Sequence, residues 1–320
     1  VSRIMTLGEI VVEIMATECD QRFDAPGHWL GPYPSGAPAI FIDQVARLGT
    51  HCSLIGHVGD DGFGQLNVER LAGHGVDTSS IRTLPDYTTG SAFVAYHETG
   101  DRQFIYNIAN AACAQITPDS IDADALADCT LFHVTGSSLF SPNLRAAMQK
   151  AVDLVAANGG QISFDPNIRP EILTDDDIQG ALRRILTQTD ILMPSTGEIT
   201  ALTDATTEQA AIHECLDYGV EEIVIKRDAD GCSFHGPDRT LTAPGLTIDP
   251  VDPTGAGDCF AATYVALRQR RFDVEAALTY ANAAGANAAL AQGPMEGTTS
   301  LDQLTRYIEE HANQRATDTT

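Results

Sequence analysis

At 320 residues with a formal net charge of −25, the chain is long enough for one large α/β domain with a small appendage, and its surface has the wrong sign for nucleic acid or an anionic membrane. No run of about 18 apolar residues exists, and Val1-Ser2-Arg3-Ile4-Met5 lacks a signal-peptide pattern, so a soluble cytoplasmic protein is expected. Seven cysteines, an odd number without a Cys-x-x-Cys pair, argue against a disulfide framework or a structural zinc site and read as small buried hydrophobes.

Of the 19 basic residues only Lys150 and Lys226 are lysines, an acidic and lysine-poor balance of the halophilic type, although a GC-rich genome favours arginine too. Neither lysine follows a glycine, which excludes a Walker A loop. Ile225-Lys226 has no His-Arg-Asp loop to accompany it as a protein-kinase strand. His213-Glu214 opens like a zincin helix, but Asp217 stands where the second histidine is required.

Apolar runs of strand length occur at residues 4–7, 53–58, 131–135, 161–164, 191–193 and 222–225. Helical patterns lie between them. Pro38 opens one, Phe41, Val45 and Leu48 follow at i, i+4 and i+7, and Gly49 closes it. Others span residues 62–75, 141–158, 207–218, 255–268 and 274–291. Short buried strands alternating with helices predict a mainly parallel sheet covered on both faces. Residues 91–97 and 102–108 flank Glu98-Thr99-Gly100-Asp101 and read as a β-hairpin. With residues 11–15 and 29–33 they suggest a small β-sheet projecting from the main domain. The polar residues 313–320 are expected to fray.

Residues 248–260, IDPVDPTGAGDCF, carry the strongest chemical signal. Asp252 and Asp258 bracket Thr254-Gly255-Ala256-Gly257, and an Ala-rich helical pattern follows at once. A helix start there offers bare N–H groups and positive partial charge, which suit a phosphate. Asp258, on the first turn, is placed to take a proton from an attacking hydroxyl. The competing reading is a glycine-containing loop with an acidic residue opening an ordinary helix. A Rossmann loop is weaker, because Phe260 stands where the third glycine belongs.

Asp-x-Thr-Gly-Ala-Gly-Asp-x-Phe, complete here as Asp252, Thr254, Gly255, Ala256, Gly257, Asp258 and Phe260, resembles the signature of the ribokinase-like (PfkB) carbohydrate kinases. The resemblance covers residues 4–310. It implies an α/β fold with a mainly parallel central sheet and helices on both faces over residues 1–312, plus a small β lid from about residues 11–34 and 90–109. It also implies ATP and Mg²⁺, with Asp258 as the base and the N–H groups of Gly255, Ala256 and Gly257 as an anion hole.

Further roles follow from the same resemblance. Glu13, five positions after Gly8, would accept hydrogen bonds from sugar hydroxyls. Gly36 and Ala37 stand where backbone approaches the sugar, with Ser35 replacing the family's first glycine and Ile40 its sugar-contacting asparagine. Residues 56–64 match a motif assigned to turn formation and packing. Phe93 and Tyr106 would line the sugar from the lid. In 2-keto-3-deoxygluconate kinases an arginine follows the tyrosine closely, but Tyr106 is followed by Asn107, Ile108 and Ala109. Without that guanidinium fork a neutral sugar is favoured. Arg169 remains available to the substrate or the phosphates.

Toward the nucleotide, Asn167, Ser195, Lys226, Gly231, Thr254 and Asn282 occupy cofactor-binding positions, with Glu198 holding Mg²⁺ through water. Ser195 replaces an asparagine, and Asp228 replaces a glycine in the loop from Lys226 to Gly231. Ala286 and residues 292–297 follow where adenine and a monovalent cation bind, with Asp252 a candidate for K⁺. The implied reaction is phosphorylation of the terminal hydroxyl of a neutral ketohexose, tagatose or fructose. The alternatives are a 2-keto-3-deoxygluconate kinase and, in another class, a sugar-binding regulator without catalysis. The lid is a candidate homodimer surface.

Overall fold

A computed structural model of the chain describes residues 2–99, 102–168 and 176–318. In chain order the first strands are β1 (Arg3–Leu7), β2 (Val11–Ala16), β3 (Trp29–Ser35), β4 (His51–Gly59), β5 (Ile81–Leu84), β6 (Gly90–Tyr96) and β7 (Arg102–Asn107). They are followed by β8 (Leu131–Thr135), β9 (Gln161–Asp165), β10 (Ile191–Leu192), β11 (Glu222–Lys226), β12 (Cys232–His235) and β13 (Thr240–Ala243). Among the described residues these form a nine-stranded sheet in the order β13, β12, β11, β10, β9, β8, β1, β4, β5, and a four-stranded sheet in the order β3, β2, β6, β7. From β11 through β5 the large sheet is parallel, and β12 and β13 close one edge antiparallel.

The helices are α1 (Ala37–Arg47), α2 (Gly62–His74), α3 (Pro142–Ala157), α4 (Asp176–Leu186), α5 (Glu198–Leu202), α6 (Glu208–Asp217), α7 (Ala256–Gln269), α8 (Val274–Ala289) and α9 (Leu301–Asp318). Their ends follow local chemistry. The side chains of Asp61, Ser141, Thr207 and Asp273 cap α2, α3, α6 and α8 by accepting from an N–H in the first turn. The last helix continues to Asp318, into the stretch the sequence marks as a frayed end.

The two faces of the large sheet are separated residue by residue. Ile4, Leu54, Leu131, Ile191 and Val224 pack with α1, α7 and α8 in one core. Their neighbours Met5, Ile55, Phe132, Leu192 and Ile223 pack with α3, α4 and α6 in the other. A strand alternates sides at every residue, so runs apolar at every position require cover on both faces. That requirement is what the sequence pattern expressed.

Within the small sheet β6 and β7 pair antiparallel from Ser91↔Asn107 to Tyr96↔Arg102, the expected hairpin, although Gly100 and Asp101 of its turn lie outside the described residues. Register places Glu13, Ala92 and Tyr106 side by side, and Ile14, Phe93 and Ile105 on the opposite face. Phe93 packs edge-on against Trp29 with ring centroids 5.5 Å apart. The two-residue period of the strand therefore turns Phe93 to the face opposite Glu13 and Tyr106.

His57 in β4 is buried, and among the described residues neither of its ring nitrogens has a hydrogen-bond partner. Burial, with the Arg82 charge adding to it, lowers the imidazole from 6.5 to about 4. Between those values the unfolded chain takes up a proton that the folded chain refuses. Stability is thus full above pH 6.5 and falls as the pH drops towards about 4. A His57→Leu variant is expected to flatten this slope. Urea midpoints compared between about pH 7 and about pH 5 check it, and equal slopes in the two proteins would exclude His57 as the source.

Candidate active site

The Asp252–Phe260 segment enters α7 through Gly255, which has φ 82° and forms the N-cap. A Cβ there would lie 2.4 Å from the carbonyl oxygen of Pro294 and 3.2 Å from Ile40 Cγ2. Both the backbone conformation and the close approach therefore demand glycine. Asp258 sits in the first turn, where the helix dipole favours its carboxylate, and is half-buried. The N–H of Ala256 donates to the Pro253 carbonyl at 3.2 Å, so this donor is already engaged by the turn.

Several separate pieces of chain converge on this helix start. From α1, Ile40 packs on Gly255 and is 2 % exposed, so the side chain that replaces an asparagine serves as apolar support beneath the motif. From β11, Lys226 brings Nζ to 3.6 Å from where a Gly257 Cβ would sit. From the small sheet, the Tyr96 hydroxyl donates to Asp252 Oδ1 at 3.0 Å and Arg102 Nη1 donates to Thr254 Oγ1 at 3.2 Å. From the loop after α8, the Gly293 N–H donates to Asp252 Oδ2 at 3.1 Å.

Lys226 is ion-paired with Asp165 at the end of β9. Asp165 is 2 % exposed, and burial pushes its carboxyl up while the Lys226 ammonium opposes that shift. The same corner is tied by Glu198, whose two oxygens accept from the Ile168 N–H at 2.7 Å and the Ser195 N–H at 2.6 Å. Asn167, at φ 37°, donates its N–H to Asp165 Oδ1 at 3.2 Å. Asp228 has φ 49°, so the residue that replaces a glycine keeps a left-handed backbone, which an aspartate tolerates better than most residues. At Gly231, with φ 97°, a Cβ would fall 2.2 Å from the Ala243 carbonyl oxygen.

On the sugar side, Gly36 has φ 109° and lies so close to the Glu9 carbonyl that a Cβ would be 2.3 Å away. Glu13 is 3 % exposed, with Ser35 Oγ 3.5 Å from its Oε2, and Ala37 opens α1 two residues after Ser35. Tyr106 stacks on Phe104 at 5.3 Å and packs against Val11 and Ile108. Asn282 is turned to the carbonyls of Ala243 and Pro244, both at 3.2 Å, so its amide anchors the end of β13 in this structure. Arg169 lies outside the described residues.

Among the described residues no cluster of three or more metal-ligating side chains exists. Tyr96, Arg102 and Asp165 were not singled out by sequence reasoning. Arg102 had a readable signal, since it lies two and four residues before Phe104 and Tyr106 and shares their face.

The family described as pfkB family carbohydrate kinase matches residues 2–300. A fructokinase of Vibrio alginolyticus is 27% identical over 316 residues, covering 96% of this chain and 99% of the relative. A 2-dehydro-3-deoxygluconokinase of Thermoproteus tenax is 31% identical over 290 residues, covering 88% and 87%. An E. coli protein provisionally named ribokinase II, solved in complex with ATP and Mg²⁺, is 51% identical and superposes with a TM-score of 0.94 over 97% of this chain and 100% of that one. The full-length match, together with an intact helix-start motif that five separate segments buttress, shows that the chain belongs to the pfkB family of carbohydrate kinases.

Proposed function

We propose that the protein transfers the γ-phosphate of ATP to the terminal hydroxyl of a neutral ketohexose, tagatose or fructose. The observation that carries this reading is the placement of Asp258 on the first turn of α7, behind a glycine N-cap whose preceding residues Asp252 and Thr254 bond to the small sheet. The sugar would lie between Glu13, Gly36, Ala37 and Tyr106 on one side and Asp258 on the other, with the small sheet as its lid. Asp258 orients the attacking hydroxyl and takes its proton late, because the transition state of phosphoryl transfer is loose. The N–H groups of Gly255 and Gly257 face the developing charge, and that of Ala256 joins them by sharing or leaving its bond to Pro253. Lys226 adds a cation beside Gly257, and Ser195, Asn167, Gly231, Thr254 and Asn282 line the nucleotide side. Glu198 would hold Mg²⁺ through water, and the ion would supply further positive charge on the nucleotide side. A K⁺ near Asp252 would rest mainly on backbone carbonyls, because that carboxylate already accepts three protein donors.

The 2-keto-3-deoxygluconate reading gains from the Thermoproteus relative and from a cation on the inner face of the sheet. Arg102, however, is drawn toward the helix-start turn, donating through Nη1 to Thr254 at 3.2 Å and lying over the Phe104 ring at 5.7 Å. ADP release measured over a panel of tagatose, fructose and 2-keto-3-deoxygluconate tests the order. Turnover of the sugar acid with none of the ketohexoses would reverse it. The opposite face of the small sheet, with Phe93 and the 42 % exposed Ile105, is the surface we propose for a homodimer, and sedimentation at two concentrations checks it.

A further inference from the structure

Asp252 is 1 % exposed, and its carboxylate accepts three donors, one from its own turn and two from separate pieces of chain. Oδ1 accepts from the Thr254 N–H and from the Tyr96 hydroxyl, each at 3.0 Å, and Oδ2 accepts from the Gly293 N–H at 3.1 Å. Tyr96 ends β6, and its cross-strand partner Arg102 begins β7. Because the two are paired, both side chains leave the sheet on the same face. One donor then falls on Asp252 and the other on Thr254, the two polar side chains just before the glycine cap.

These contacts are built to hold. Burial, and next the Asp252 charge, push the Tyr96 phenol above its ordinary value, so it stays protonated and donating through neutral pH. The Arg102 guanidinium lies over the Phe104 ring at 5.7 Å and is thereby fixed on the hairpin. On the far side of the motif, Pro294 presses on Gly255 and Gly293 packs against Tyr33 of β3, where a Cβ on Gly293 would meet Tyr33 Cδ1 at 2.7 Å. The turn from Asp252 to Gly255 is thus gripped between the small sheet and the 293–294 loop. Its geometry decides where the N–H groups of residues 255–257 point.

We propose that Tyr96 and Arg102 are positioning residues for phosphoryl transfer, which hold Asp252 and Thr254 from the sheet side and so couple seating of the small sheet to completion of the anion hole. The proposal rests on the phosphoryl-transfer reading above. Neither residue touches the reacting atoms. Their effect reaches the transferring group through the turn, so it belongs in kcat more than in nucleotide affinity.

Tyr96→Phe removes one oxygen and keeps the ring, and Arg102→Ala with Arg102→Lys forms the second series. Tyr96→Phe and Arg102→Ala are expected to lower kcat about 10- to 100-fold, the loss typical of a displacement near 1 Å at a reacting centre, with KM for ATP changed less than about threefold. Arg102→Lys should recover part of the loss by restoring a cation. In an Asp252→Ala background, Tyr96→Phe should cost nothing more, because its path to the site is already cut. Amide exchange of residues 252–258 should also quicken in Tyr96→Phe, a readout that needs no turnover. Unchanged kcat in both single variants, full additivity with Asp252→Ala, or unchanged exchange would each overturn the proposal. A wild-type protein that folds but phosphorylates no sugar overturns the kinase reading instead, and the exchange comparison still decides whether the two residues hold the turn.

Discussion

Asp258→Asn is expected to lower kcat by about 10²- to 10⁴-fold, the range for loss of a positioned general base. The substitution is isosteric, so the helix start and the Gly255 cap stay in place. An amide in the same position still hydrogen-bonds the sugar hydroxyl, and KM for the sugar should therefore move much less than kcat. Loss of one carboxylate beside the helix dipole costs about 0.3–1 kcal/mol at most positions, so the variant should unfold close to the wild-type urea midpoint. Steady-state ADP release at saturating sugar checks the rate, and the urea curve shows whether the fold survived. Near-normal turnover in a folded variant would remove Asp258 from its role.

Lys226→Met carries the second large effect, and it appears in stability as well as rate. The side chains of Lys226 and Asp165 are 12% and 2% exposed, and removal of the ammonium leaves a buried carboxylate without its counter-charge. Breaking one side of such a pair typically destabilises by about 3–5 kcal/mol. The double variant Lys226→Met/Asp165→Asn removes both charges and keeps an acceptor for the Asn167 N–H, now bonded at 3.2 Å. It should regain most of the stability, since a neutral pair carries no stranded charge. Activity should stay low in both variants, because Nζ also lies beside Gly257 where the phosphates would sit. Urea unfolding and ADP release on the same samples separate the two roles. Full activity in the double variant would confine Lys226 to the fold.

The parallel core was legible because β1, β4, β8, β9 and β11 are buried on both faces and show as short, mostly apolar stretches with a few buried polar residues such as Thr6, His133 and Ser163. The edge pair β12 and β13, and β5 at the other end, were not, since each has four residues and β5 and β13 are partly or fully exposed along their length. Short half-exposed strands carry little hydrophobic signal, and neighbours supply the pairing that makes them strands. Phe93 shows how register enters. Its residue type suits a sugar-facing ring, but one position of register turns it to the opposite face from Tyr106.

What the sequence determined by itself is the candidate centre that is contiguous in the chain: a glycine-capped helix start with Asp258 on its first turn, held within residues 252–260. What only the tertiary structure decided is who meets it. Tyr96 reaches Asp252 across 156 positions, Arg102 reaches Thr254 across 152, and Lys226 finds Asp165 across 61. Local spacing encodes a turn and a dipole because those depend on neighbouring residues. Pairings over such separations depend on strand order and register, and no pattern within one segment can specify them.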